Sequence, residues 1–355
     1  ALLRDPGRRE ARREPPRLEH DDRSLHDVEQ RPRDARRLAG TRWRDQHADP
    51  ALAHRRDDRG QHRVDRQGRQ GLHAPQCMLA AMFPAPEVPQ FPPGQSVTTS
   101  GHFRYEDVTQ DGRLMPIAIP PALSGLWREV LVHHAGARNA LAQGVIPILT
   151  RLTLTSVDQP IRVDRPFESR AGFQLAHDKQ GDEVSRLFML VWADLRGAAG
   201  KLSRHVTPGE LATAGTIFAE HTFTRLMAPP DQRRVTRLSV EGYPEIPETH
   251  YAAPAATTAQ EPPPGAAWTS ELAADTVDYV FTLDHTDSNQ HVNSLVYVRR
   301  FLEAVNRRLA AEGKPLRVRS REVDIAYRKP CFAGDRVRAH VRLFGPSARG
   351  ESGAV

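Results

Sequence analysis

Cysteine is scarce in this chain: Cys77 and Cys331 are the only two in 355 residues. Two thiols make neither a disulfide framework nor a cysteine-rich zinc site, and so low a content fits a reducing compartment. Long apolar runs are missing too. No stretch approaches the ~20 residues that cross a bilayer as a helix, and the N-terminal residues form no apolar signal core. A cytoplasmic protein without membrane contact is expected. Residues 1–70 also lack Phe, Tyr, Ile, Met, Asn and Lys. Such a segment cannot bury enough apolar surface to offset its ordering entropy.

What residues 1–70 do contain is charge, 19 Arg against 14 Asp+Glu, a net of +5 (19 − 14). The whole chain carries +6, so the remainder is close to neutral. Mixed signs make a patchy field, and no nucleic-acid partner is expected. Three readings stand for this segment: a disordered arm, a basic arm, or translation upstream of a real start at Met78 or Met82. Residues 1–82 are therefore set apart as a disordered or non-native Arg-rich segment.

Beyond a proline-rich lead-in at 83–97, the pattern becomes that of a folded chain. Phe103-Arg104-Tyr105 reads as a short strand. Pro120-Pro121 open a helical stripe over 122–143, with Leu123, Leu126, Trp127, Val130, Leu131 and Leu141, closed by Gly144. Strands are expected at 148–156, 161–177, 187–195 and 201–206, separated by turn residues. Residues 207–275, rich in proline, read as a linker. The order then recurs: a strand at 277–283, a loop at 284–292, a helix at 293–313, and strands at 318–329 and 335–344. This predicts an α+β fold with two similar units, at 98–206 and 276–345, in which a sheet covers a helix. Few residues remain after Phe344, so the second sheet is expected to be incomplete, with an unpaired edge.

Chemistry concentrates in Asp287-Ser288-Asn289-Gln290-His291-Val292-Asn293, just ahead of the second helix. An extended path would put Asp287, Asn289 and His291 on one side. Backbone N–H groups at the helix start (Val292, Asn293, Ser294) lie beside them and are unpaired by construction. A carboxylate, an amide and an imidazole next to such donors suit attack on a polarised carbonyl. Each also has a plain structural role: Asp287 as a loop or cap residue, Asn289 as a turn residue, His291 as a partner of a loop carbonyl. Cys331 is read as a pocket residue, with nucleophilic chemistry as the lesser option. The His133-His134 pair does not share a helix face and predicts no metal site.

The loop and helix of the second half resemble the signature of hotdog-fold thioesterases, most nearly the acyl-ACP thioesterases. The resemblance runs through the seven residues above, Tyr297 and Glu303 in the helix, and the strand Asp324-Ile325-Ala326-Tyr327-Arg328-Lys329-Pro330-Cys331. It covers 277–335 well and 98–345 in element order only. One departure is Pro330, where the family has a carboxylate before the Cys. The resemblance implies two hotdog units packed as an internal pseudo-dimer, with homodimerisation open. It implies hydrolysis of fatty acyl thioesters on acyl carrier protein or coenzyme A, with no cofactor and no metal. Asp287 would be general base or nucleophile, with Asn289 placing it or the water. His291 would move a proton, and Tyr297 and Glu303 would support from behind. The alternatives are a hotdog hydratase or dehydratase, whose Asp-x-Asn-Pro-x-His run is one residue longer, and a non-catalytic acyl-binding protein.

Overall fold

The structure is a computed structural model that describes residues 83, 85–202, 209–346 and 352–355, and the backbone of 2–4. The reading of residues 1–82 lies outside the described residues apart from that short stretch. Among the described residues, eleven strands and two α-helices follow in chain order. They are β1 (Leu2–Arg4), β2 (Ser96–His102), α1 (Ala135–Ala142), β3 (Val145–Ser156), β4 (Pro166–Gln180), β5 (Glu183–Ala198), β6 (Leu211–Arg225), β7 (Ala273–Val280), α2 (Ser294–Ala311), β8 (Glu322–Ala326), β9 (Arg336–Val341), β10 (Leu343–Phe344) and β11 (Gly353–Ala354).

The main sheet has six antiparallel strands in the order β2-β4-β5-β6-β3-β8. Its first five strands come from the first half, and β8 from the second. Alternation decides the two faces. On one face Phe173, Leu175, Leu187, Met189, Val191, Ile217 and Phe223 pack with Leu123, Leu126 and Leu131 of the helical segment. On the other, Phe188, Leu190, Trp192 and Phe218 are covered by Phe91 and Tyr251. Three register shifts, at Leu149/Arg151, Asp178/Lys179 and Leu195/Arg196, bend the long strands as bulges do.

The first unit's strand order, numbered within the unit, is 1-3-4-5-2 around a helical segment. The second unit repeats the order in part. Its first and third strands, β7 and β9, pair with each other, and α2 packs on β9 through Phe301, Ala304, Val305 and Leu309. Its second strand, β8, pairs with the first unit's second strand, β3. Among the described residues no strand joins β9 to β8; the backbone of β1 pairs with β9, and the short β10 pairs with β11. This is a double hotdog arrangement, α+β, with the two units sharing a sheet.

The strand expected at 201–206 lies outside the described residues apart from 201–202, which are not strand. Three further elements differ from the expectation. The linker expected over 207–275 opens with β6, a full strand of the main sheet. Its core-facing residues include Ala214, Ala219 and His221, and residues 217–221 are all buried, so neither hydropathy nor burial alternates cleanly along it. The first strand lies at 96–102, before the expected 103–105, where Val97, Thr98 and Thr99 carry β propensity without bulk. The helix expected over 122–143 is broken: short turns at 116–123, a wide turn at Leu126–Leu131, then α1. The break falls at Val132-His133-His134, where His134 leaves the helical region at ψ 121.

Candidate active site

Asp287 sits in a tight turn, not on an extended strand. Its C=O accepts from Gln290 N–H at 2.9 Å, and its N–H donates to His291 O at 3.1 Å. Thr286 and Val292 form an antiparallel bridge across the turn's base. Gln290 takes a left-handed conformation, φ 64, the one such non-glycine residue among those described. The local sequence explains the bend. Asp at the first turn position folds its carboxylate onto the N–H two residues on, and Asp287 Oδ1 accepts from Asn289 N–H at 2.9 Å. Period-two alternation therefore does not apply here. Asn289 is exposed, and His291 is half-buried with Nδ1 3.3 Å from Val292 O.

The residue that meets Asp287 is Asn293. Its Nδ2 donates to Asp287 Oδ2 at 3.3 Å, while its Oδ1 accepts from Leu295 N–H at 3.0 Å and caps α2. One amide thus ties the carboxylate to the amino end of the helix. That end carries a partial positive charge, which favours an anion beside it. Val292, just ahead, is fully buried under Phe281 and Val337 and anchors the turn to the core. Asn293 N–H donates to His285 O at 2.9 Å, and Val292 N–H to Cys331 O at 2.8 Å.

Cys331 closes the other side. Its N–H donates to the Tyr297 hydroxyl at 2.9 Å. Burial pushes the Tyr297 phenol well above its ordinary range; the Cys331 side chain adds to the rise and the Cys331 N–H opposes it, so the phenol stays neutral. The Tyr297 ring stands edge-on to Phe281 and Tyr327, with centroids 5.7 and 6.0 Å away. Tyr327 OH donates to Ser294 O at 3.1 Å, and burial holds this phenol neutral too.

Glu303 is further off. Nine residues beyond the helix start, it lies about 14 Å along the axis at the standard rise. It binds Arg300, 3.0 Å from Oε2, and Arg300 Nη2 is 2.9 Å from His285 Nε2. Glu303 thus reaches the turn through Arg300 and His285. Sequence reasoning singled out neither of these. The signal available for them was spacing: Arg300 and Glu303 stand three apart on a helix face. Among the described residues no group of three or more His, Cys, Asp or Glu is placed to hold a metal ion. No described helix is long and apolar enough to cross a membrane.

The structure brings Asp287, Asn293, Ser294, Tyr297 and Cys331 to one end of α2, with His291 beside them and Asn289 at the rim. The Val292 and Asn293 N–H groups, expected to be free, are spent on Cys331 O and His285 O, and those of Leu295 and Val296 on Asn293, because the turn folds back on the core and the cap closes the helix; Ser294 N–H is the first-turn donor that remains. A carboxylate next to that donor can activate water or attack a carbonyl, and the donor can receive the resulting oxyanion.

No protein-family model matches the sequence, and no curated protein matches it either. Solved structures do match. An acyl-ACP thioesterase from Bacteroides thetaiotaomicron is 15% identical, over 70% of this chain and 86% of that one, with a TM-score of 0.44. A protein named as an oleoyl thioesterase from Lactobacillus plantarum is 16% identical, over 73% and 88%, with a TM-score of 0.49. A MaoC-like dehydratase from Phytophthora capsici is 8% identical, over 73% and 93%, with a TM-score of 0.31.

Proposed function

We propose that this chain hydrolyses acyl thioesters, releasing a carboxylic acid and the thiol of acyl carrier protein or coenzyme A. The observation that carries the reading is the tie between Asp287 and the cap of α2 through the Asn293 amide. Asp287 is the general base or the nucleophile. The Ser294 N–H at the start of α2 receives the developing oxyanion, helped by the helix dipole. Asn293 orients the carboxylate, and His291 at the turn's exit passes a proton to the leaving thiol. Asn289 touches substrate or water at the open rim. Tyr297 and Tyr327, both neutral, present hydroxyls and ring edges to the thioester region without adding charge. Cys331 shapes the wall and fixes the turn through its backbone.

Purified protein incubated with acyl-CoA and acyl-ACP of several chain lengths, with free thiol followed by a colour reagent, tests this. Asp287→Ala is expected to lower thiol release at least 100-fold with the fold intact. Equal rates in the variant, or no release by the parent with any substrate, reject the hydrolase.

One observation favours a second reading. Both carboxylate oxygens of Asp287 already have protein donors, as in a purely structural turn. A non-catalytic acyl-binding protein would keep tight acyl binding and release no thiol in the same assay. Addition of water to an enoyl thioester would instead assign the hydratase.

A further inference from the structure

Strand β8 is short, it lies at the sheet's edge, and its single strand neighbour β3 belongs to the other unit. Yet the segment that follows it reaches the turn bearing Asp287. Tyr327 N–H donates to Thr150 O at 2.9 Å, its hydroxyl holds Ser294 O, and Cys331 holds both Val292 and Tyr297. Where β8 sits along β3 therefore decides where these groups meet α2.

Two features set that alignment. The register pairs Leu152 with Ile325 and Leu154 with Val323, both pairs on the core face. A slip of one residue would turn Val323 and Ile325 away from the core and drive Asp324 into it. Hydropathy thus forbids odd slips. It says little about a slip of two, which preserves the faces. On the opposite face Asp324 lies within reach of Arg151, both side chains almost wholly buried, at 3% and 2% exposure. Arg151 Nε donates to Asp324 Oδ1 at 2.8 Å, with Nη2 on Oδ2. Thr153 Oγ1 donates to Asp324 Oδ1 at 3.1 Å, and Arg151 Nη1 to Thr258 Oγ1 at 3.0 Å. A two-residue slip moves Asp324 about 7 Å along the strand. Asp324 would then be buried away from its guanidinium, with Arg151 left to Glu220, its cross-strand neighbour on β6, and a buried charge parted from its partner is the costly case.

We infer that the Arg151–Asp324 pair is a register key that selects among the two-residue-spaced alignments of β8 on β3, and so positions Tyr327 and Cys331 against the Asp287 turn. Arg151 is then a positioning residue, contributed by the unit that lacks the Asp287 turn. Arg319 ties the chain ahead of β8 to Ser156 Oγ and Asp158, at 2.9 Å each, but at a partly exposed site outside the strand. It stays in place in every variant below. The claim about activity rests on the hydrolase reading; the claim about register does not.

The test replaces both charges, Arg151→Met with Asp324→Leu, because a single replacement strands its partner and can unfold the chain. Apolar replacement of a buried pair commonly leaves stability unchanged or raised. Register is read by a cross-strand disulfide between Thr155→Cys and Glu322→Cys, directly opposed in the native alignment, with Cys77 and Cys331 replaced by Ser. The expected initial rate of disulfide formation falls at least threefold in the double replacement, at unchanged Tm. In the cysteine-intact background, kcat for thioester hydrolysis falls at least tenfold with KM within twofold. An unchanged disulfide rate overturns the register key. A slowed disulfide with parental kcat in an active protein overturns the positioning. A parent without hydrolase activity rejects the proposed function and leaves the disulfide result to decide the register key.

Discussion

Asn293 serves two ends with one amide, and its two atoms can be separated by mutation. Oδ1 caps α2 and Nδ2 holds Asp287. Asn293→Asp keeps the cap acceptor, and Asp ranks with Asn as a cap, so stability should stay within about 0.5 kcal/mol. The donor to Asp287 becomes a second carboxylate facing it, and hydrolysis should fall at least tenfold. Asn293→Ala loses both contacts and should cost about 1 kcal/mol of stability as well. Thermal denaturation and a thiol-release assay on the two variants check this; parental activity in Asn293→Asp removes Asn293 from the mechanism. His221 offers a pH test. It sits on the core face of β6, edge-on to Trp127, with Nδ1 buried and unpartnered. Burial pushes its pKa down to about 4 from 6.5. The folded state thus binds fewer protons than the unfolded one between those values. Stability from this group is complete above about pH 6.5 and is lost as pH falls towards 4, by on the order of 3 kcal/mol. His221→Phe removes the proton uptake, so the fall in stability from pH 7 to pH 4.5, measured by urea unfolding, should be smaller in the variant by about 2–3 kcal/mol.

At the scale of elements, α1 depends on a close approach. An added Cβ on Gly136 would lie 2.6 Å from the Tyr243 ring and 2.7 Å from the Gly242 backbone carbonyl carbon. The Gly242 backbone, at φ 91, cannot yield cheaply. Gly136→Ala should therefore destabilise by about 1–3 kcal/mol despite the better helix propensity of Ala; a stabilised variant would show that the 240–243 segment yields freely. The same contrast explains what could be read from sequence. α2 was legible because Val298, Phe301, Leu302, Val305 and Leu309 repeat at helical spacing behind an Asn cap and before Gly313. Strand β5 was legible because its core run is apolar on both faces. The helical segment over 122–143 showed a similar stripe, yet local apolar spacing does not report the packing of Gly136 and His134 on the 240–243 segment. Strand β6 was hidden because Glu220 and His221 look like surface residues. In fact Glu220 accepts from Thr150 Oγ1 at 2.6 Å and Tyr251 OH at 2.8 Å, partners 70 and 31 residues away. At the site, the residue types were visible but the path was not. The Asp287 side chain curls onto its own turn, a hydrogen bond that competes with extended structure.

Across the whole molecule, burial is unequal. The first unit's core runs from Phe103 to Tyr243 and takes in Leu295, Val323, Ile325 and Tyr327 at its margin. Apart from Val298 and Phe344, the second unit's buried apolar residues fall into two small groups. One is Ala304, Ala339, Val341 and Leu343; the other is Phe281, Val292 and Val337. Local opening follows the apolar area that holds a region closed, so α2 with β7 and β9 should open without the main sheet. β8 belongs with the opposite unit in this respect. Its backbone pairs with β3, Asp324 is locked to Arg151, and Val323 and Ile325 pack on the first core. Native-state hydrogen exchange should divide the second unit accordingly. Amides of β9 and the middle of α2 should exchange at least 100-fold faster than those of β5, whereas the β8 amides bonded to β3 should exchange with β3. Uniform protection of α2, β9 and β5 would mean that the two units open as one. Fast exchange throughout β8 would mean that the second unit holds its own strand and that the shared sheet is not the tie between them.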